Sequence, residues 1–188
     1  MEITKTNRSR RDQIDFENLG FGEVFSDHML VMDYTQDSGW QDGRIEPYGL
    51  LTLDPATLVL HYGQAVFEGF KAFRSSTGGV ILFRPRDHIA RLNASCARLC
   101  IPAVDEPFVL KALKRLVHLD ADWVPRTFGC ALYVRPVIVA TDPDLVVRPS
   151  RRYRFFTILS PVGAYYREGF WPVRILVSDR HARAVRGG

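Results

Sequence analysis

The stretch His61 to Phe73, His-Tyr-Gly-Gln-Ala-Val-Phe-Glu-Gly-Phe-Lys-Ala-Phe, sets five aromatic or imidazole rings, one carboxylate, one lysine and two glycines within thirteen residues. An ordinary core segment alternates apolar with polar residues and keeps its rings apart. Read from the residues alone, this one is a buried turn between a helix and a strand with its rings in the core, or the wall of a pocket. Gly69 lets another backbone or a ligand approach closely. The turn organises what lies on either side of it. Before it, Leu58 to Gln64 reads as one or two helical turns. After it, Gly69 to Ser75 and Gly79 to Arg84 read as a hairpin closed by Ser75-Ser76-Thr77-Gly78-Gly79.

Working outward, Pro85 opens a helix whose apolar stripe is Ile89, Leu92, Cys96 and Leu99. Arg91 lies off that stripe and reads as solvent-facing. A second helix starts at the N-cap Asp105 with Pro107 in its first turn, and Phe108, Ala112, Leu113, Leu116 and Val117 make its buried face. Gly129 to Ala140 is a strand. Residues two apart share a face, so Tyr133 and Arg135 point the same way, either toward a ligand or into a structural salt bridge. Pro136 cannot donate to a ladder and favours an edge or a bulge. Tyr153 to Leu159 is another strand, Ser160 to Trp171 a connector, and Val173 to Val177 the start of a further strand. Upstream, Met29 to Met32 and Leu50 to Leu53 read as strands, Gln36 to Pro47 as turn-rich, and Met1 to Asp15 as a loose arm. The mixed order gives an α/β class, an α+β mixed sheet.

A chain of 188 residues, 46% hydrophobic and 24% charged, has the composition of a globular protein. No apolar run approaches the ~20 residues of a membrane span, and the N-terminus has no signal core. The net charge of +4 suits an anionic ligand, as it suits many proteins without one. The densest basic cluster, Arg148, Arg151, Arg152 and Arg154, reads as a solvated loop, and no nucleic-acid motif accompanies it. Three cysteines without regular spacing argue for a reducing, cytoplasmic compartment. Cys96 and Cys100, four apart on a helix, read as small buried hydrophobes. No metal-ligand spacing, nucleophile elbow, Walker loop or dinucleotide fingerprint is present.

Tyr62 through Phe73 resembles the signature segment of branched-chain aminotransferases, pyridoxal-phosphate enzymes of fold type IV. Phe21-Gly-Glu-Val-Phe-Ser-Asp-His-Met29, Ala131-Leu-Tyr-Val-Arg-Pro136, Leu159-Ser-Pro-Val-Gly163 and the terminal Arg183-Ala-Val-Arg-Gly-Gly188 match in the same order. The resemblance implies that Arg91 and Arg183 bind the cofactor, with Arg91 on its phosphate. A guanidinium offers a forked, charge-assisted donor set for phosphate oxygens. It implies that Phe21, Tyr62, Phe67, Tyr133 and Arg135 line the substrate pocket. It also implies that the loop carrying Leu145 and Val147 reaches over a partner subunit's active site, so that the protein is a homodimer. The implied partners are amino acids and 2-oxo acids; no nucleic acid and no membrane are expected.

The resemblance divides the chain into a small N-terminal domain, 1–163, a connector, 164–172, and the start of a large cofactor-binding domain, 173–188. It places the Schiff-base lysine just beyond Gly188, so no catalytic residue is expected within these 188 residues, which should be inactive alone. None of Lys5, Lys71, Lys111 and Lys114 matches that lysine. The function implied is amino-group transfer between L-leucine, L-isoleucine or L-valine and 2-oxoglutarate. Alternatives are another fold type IV enzyme (a D-amino acid transaminase or aminodeoxychorismate lyase) and a non-catalytic dimerisation module.

Overall fold

A computed structural model describes residues 1–166, 171–182 and 184. Its elements are β1 (Glu2–Ile3), β2 (His28–Thr35), β3 (Gly39–Pro47), α1 (Leu58–Tyr62), β4 (Ala65–Phe67), β5 (Phe70–Arg74), β6 (Val80–Leu82), α2 (Pro85–Arg98), α3 (Glu106–Leu119), β7 (Ala131–Ala140) and β8 (Arg152–Val162). The strands make one sheet in the order β1-β3-β2-β8-β7-β5-β6, with β4 beside β7 in line with β5. Among the described residues only the β1–β3 pair is parallel.

Alternation sorts the sheet into two faces. Leu132, Val134, Ile138 and Ala140 of β7 join Phe155 and Leu159 of β8, Leu30 and Met32 of β2, and Phe70 and Ala72 of β5 in the core. Ile89, Leu92 and Cys96 of α2 and Leu113, Leu116 and Val117 of α3 cover that face. Burial pushes the Cys96 thiol up to about 11, so it stays protonated and inert. The opposite face of β7 carries Tyr133, Arg135, Val137 and Val139, all half-buried.

Several sequence expectations change. Residues 39–47 are not a turn-rich connector but a strand paired on both sides, which overrides the Gly and Asp content. Leu50 to Leu53 finds no partner strand and is no strand; Leu50 is fully in solvent. The N-terminal arm is tied down rather than loose. The Thr6 N–H donates to His28 Nε2 at 3.0 Å, and Ser9 Oγ and the Arg10 N–H donate to the buried Asp27. Leu99 leaves the stripe because α2 ends at Arg98, and Cys100, expected as a small buried hydrophobe on that helix, lies past its end in a left-handed turn and is exposed. Phe108 is more than a third exposed, and Val109 and Leu110 are buried beside the α3 positions expected. The strand at 152 runs on to Val162, so the connector begins later, and 173–177 forms no strand.

Pro136 lies inside the sheet, not at an edge. Its strand is flanked by β8 on one side and by β4 and β5 on the other. The break between β4 and β5 falls opposite Pro136, whose carbonyl accepts the Glu68 N–H at 2.9 Å. The missing N–H therefore faces the break, where no ladder bond is needed.

Candidate active site

The β4–β5 break is the Glu68-Gly69 corner of the aromatic stretch, and it positions the site. On β7, period two sets Tyr133 and Arg135 side by side, as the sequence implies. The Arg135 guanidinium lies over the Phe67 ring, 4.3 Å from its centroid, and 5.1 Å from that of Tyr133. Phe21 packs on Tyr133 at 5.3 Å, and Tyr165 stands edge-on to Phe21 at 5.8 Å. Phe67 is 62% exposed and Phe21 46%. These residues form an open wall of rings around one cation.

Arg135 has no hydrogen bond and no ion pair among the described residues, and its Nε is buried without an acceptor. The Ser160 hydroxyl, on the residue paired across to Tyr133, is also buried and unpartnered. Buried donors left without partners are costly, about 1–3 kcal/mol each. Two of them behind one ring-lined wall fit a polar ligand group at that point. The chemistry suited to Arg135 is a carboxylate, which its fork of donors matches. A cleft of about 770 Å³ between Trp40, Gly43 and Phe108 has no such unpartnered donor among the described residues.

Behind the wall sits Glu68, only 6% exposed. Its carboxylate receives Arg91 Nε, Arg91 Nη2 at 2.7 Å, the Gly69 N–H at 2.9 Å and His88 Nδ1 at 3.0 Å. The His88 ring is stacked on Phe70 at 5.2 Å. Burial pushes the Glu68 carboxyl up, but the bonds from Arg91, Gly69 and His88 outweigh it and hold it below the usual carboxylate range. Arg91 nevertheless stays 64% exposed, with donors left over for an outside anion.

Of the expected site residues, Phe21, Phe67, Tyr133 and Arg135 come together, and Arg91 joins them through Glu68. Tyr62 is engaged elsewhere: its hydroxyl donates to the Leu145 carbonyl at 2.5 Å. The loop there is braced by Arg148, which binds Asp142 at 3.0 Å and Asp144 at 2.6 Å. Leu145 and Val147 are held out at 61% and 78% exposure. Arg183 lies outside the described residues. Lys71 is paired across to Tyr133 and so lies on the wall's face. Glu68, Ser160 and Tyr165 are participants that the sequence did not single out; an acid inside an aromatic run was the one available signal.

Along its length this chain is 52% identical to branched-chain-amino-acid aminotransferase 2 of Bacillus subtilis, over 188 residues that cover all of it and 51% of that protein. The chain is related to the branched-chain aminotransferases. Branched-chain-amino-acid transaminase 1 of the same organism is 53% identical over 179 residues, 95% of this chain and 50% of that one. The enzyme of Mycolicibacterium smegmatis is 46% identical over 172 residues, 91% and 47%. The chain thus spans about half the length of the curated relatives it matches. No protein-family model matches.

Among solved structures, the branched-chain aminotransferase of Thermoproteus uzoniensis with norvaline superposes with a TM-score of 0.59 at 23% identity, covering 74% of this chain and 43% of that one. The Escherichia coli aminotransferase gives 0.58 at 23%, covering 74% and 41%. A further branched-chain aminotransferase, complexed with N-(5'-phosphopyridoxyl)-L-glutamate, gives 0.52 at 20%, covering 76% and 40%. The branched-chain aminotransferase fold is therefore shared.

Proposed function

We propose that this chain supplies the substrate wall and the phosphate grip of a pyridoxal-phosphate aminotransferase that moves the amino group between branched-chain L-amino acids and 2-oxoglutarate. The observation that carries the reading is Arg135, a cation framed by two rings with a buried donor and no hydrogen-bond partner among the described residues. One wall then serves two substrates. The rings of Phe21, Phe67 and Tyr133 exclude water from an aliphatic side chain. A methylene more or less in such a place is worth only ~1–3 kcal/mol, so leucine, isoleucine and valine are weakly distinguished. Arg135 meets the γ-carboxylate of glutamate or 2-oxoglutarate.

The cofactor's contribution, when bound, is to hold the amino group between the two half-reactions. Among residues of this chain, Arg91 fits its phosphate, since its guanidinium is anchored yet open, and Arg183 is the second candidate. On this reading residues 1–163 form the small domain, 164–172 the connector and 173–188 the start of the large domain. Leu145 and Val147, apolar and presented on a braced loop, belong over the neighbouring subunit of a homodimer. The site of action is the cytoplasm.

The test is steady-state kinetics on the full-length polypeptide carrying this chain. Arg135→Gln raises KM for 2-oxoglutarate by roughly 10–100-fold, the worth of a charge-assisted bond, and leaves KM for L-leucine within about threefold. An equal loss for both substrates removes Arg135 from carboxylate recognition.

A further inference from the structure

Glu68 has no assignment in the substrate wall or in the phosphate grip, yet it is the most heavily bonded carboxylate near either. Burying a carboxylate is costly, and apolar replacements of buried ion pairs are often neutral or stabilising. Stability alone is thus a weak reason for a buried acid at this corner. Four donors converge on it from three directions: the α2 residues Arg91 and His88, three positions apart on one helix face, and the Gly69 N–H at the start of β5.

The shape of the Arg91 contact is informative. A guanidinium has five N–H donors. Glu68 takes the Nε hydrogen and one on Nη2, which leaves the Nη1 pair and the other Nη2 hydrogen on the open side. An ionised Glu68 requires the His88 Nδ1 hydrogen to face it, so the 3.4 Å approach of Arg91 Nη2 to that nitrogen is not a second bond. His88, stacked on Phe70, thus braces the carboxylate, and the carboxylate braces the arginine. A free arginine side chain has rotamer entropy to lose on binding. Here much of that freedom is already gone while the guanidinium remains 64% exposed.

We infer that Glu68 is a positioning residue: it fixes the Arg91 fork so that its free edge faces the phosphate of the cofactor. This rests on the reading of Arg91 given above. Two effects oppose each other. The negative charge of Glu68 weakens the attraction between Arg91 and a dianion, and the fixed geometry strengthens binding. Of the two, geometry prevails.

The experiment titrates the apo form of the full-length polypeptide with pyridoxal phosphate and, separately, with pyridoxal, which lacks the phosphate, following absorbance. Glu68→Gln raises Kd for pyridoxal phosphate about tenfold or more and leaves Kd for pyridoxal within about twofold. In an Arg91→Ala background the same change has no further effect on pyridoxal phosphate. A parallel loss for both ligands reduces Glu68 to a structural role and overturns the inference, as does unchanged or tighter binding of pyridoxal phosphate. If Arg91→Ala alone leaves the ratio of the two constants at its wild-type value, the reading of Arg91 itself fails, and the inference with it. Should Glu68→Gln not fold, Glu68→Asp, which keeps the charge and retracts it by one methylene, is titrated in its place. It shifts the ratio in the same direction by a smaller factor, and an unshifted ratio overturns the inference.

Discussion

At Gly69 a β-carbon would fall on the hydroxyl of Tyr133. The backbone of the corner thus touches the wall of rings, and the absence of a side chain is a packing requirement. Gly69→Ala must push the Tyr133 ring away from Phe21 and Arg135. Overpacking of this kind costs ~1–3 kcal/mol, so a loss of stability with a raised KM for both substrates is expected from melting and steady-state kinetics; an unchanged KM refutes the contact. Gly163 has the same constraint against the Leu19 carbonyl, which is backbone and yields less readily. Tyr133 and Arg135 were legible as a pair because strand periodicity is local. Phe67 over Arg135 was not, because the two are brought together only by β4 pairing with β7.

The elements were most legible where a local signal ends them. The Asp105 carboxylate accepts the Phe108 N–H at 2.6 Å and starts α3 where the sequence places it. Asp105→Ala removes that cap at ~1 kcal/mol, so Tm falls by roughly 2–4 °C, measured by thermal denaturation. β3 was missed because its partners, β1 and β2, supply the stability that its glycines and aspartate do not advertise. Residues 50–53 were over-read for the converse reason, since an apolar run without a partner strand has no ladder to join. The bracing of the 141–149 loop depends on Asp142 and Asp144 meeting Arg148, and Gln64 holding the Arg148 carbonyl at 2.6 Å. Such a loop is expected to keep its shape without a partner. Arg148→Ala therefore makes it more sensitive to limited proteolysis than the wild-type loop, and equal cleavage rates sink that expectation.

For the molecule as a whole, buried acids set the response to pH. Burial pushes the Asp27 carboxyl up, but bonds from the Arg10 N–H, Ser9 and Trp123 bring it below its ordinary value, as those from Arg91, Gly69 and His88 do for Glu68. A carboxyl lowered in the folded state contributes stability above its unfolded pKa of about 4, and that contribution is lost as pH falls through the folded value. Asp120, raised by burial against bonds from Ser26 and His28, acts in the opposite sense and favours the folded state on acidification. These two buried lowered carboxyls, together with Asp15, Asp87 and Asp144, also lowered by their hydrogen bonds, outnumber the one raised group and predict a Tm that declines below about pH 4. Glu68→Gln flattens this decline, and a slope unchanged by that substitution contradicts the assignment. The proposed homodimer is tested at this scale too. Leu145→Asp with Val147→Asp shifts the full-length protein toward monomer in sedimentation, and an undisturbed dimer removes the loop from the interface.

The sequence by itself determined the period-two face of β7, the two helices with the Pro85 start of α2 and the Asp105 cap of α3, the hairpin after the aromatic stretch and the ordered motifs that point to a family. Each of these is carried by residues a few positions apart, where propensity and spacing act directly. The tertiary structure decided that an arginine expected in plain solvent is held by a carboxylate 23 positions away. It also turned Pro136 from an edge signal into the residue facing a break in the neighbouring strand, and bound the N-terminal arm to Asp27 and His28. These arrangements depend on which strand lies beside which. That follows from burying one face of the whole sheet under α2 and α3, a condition no single stretch of sequence contains.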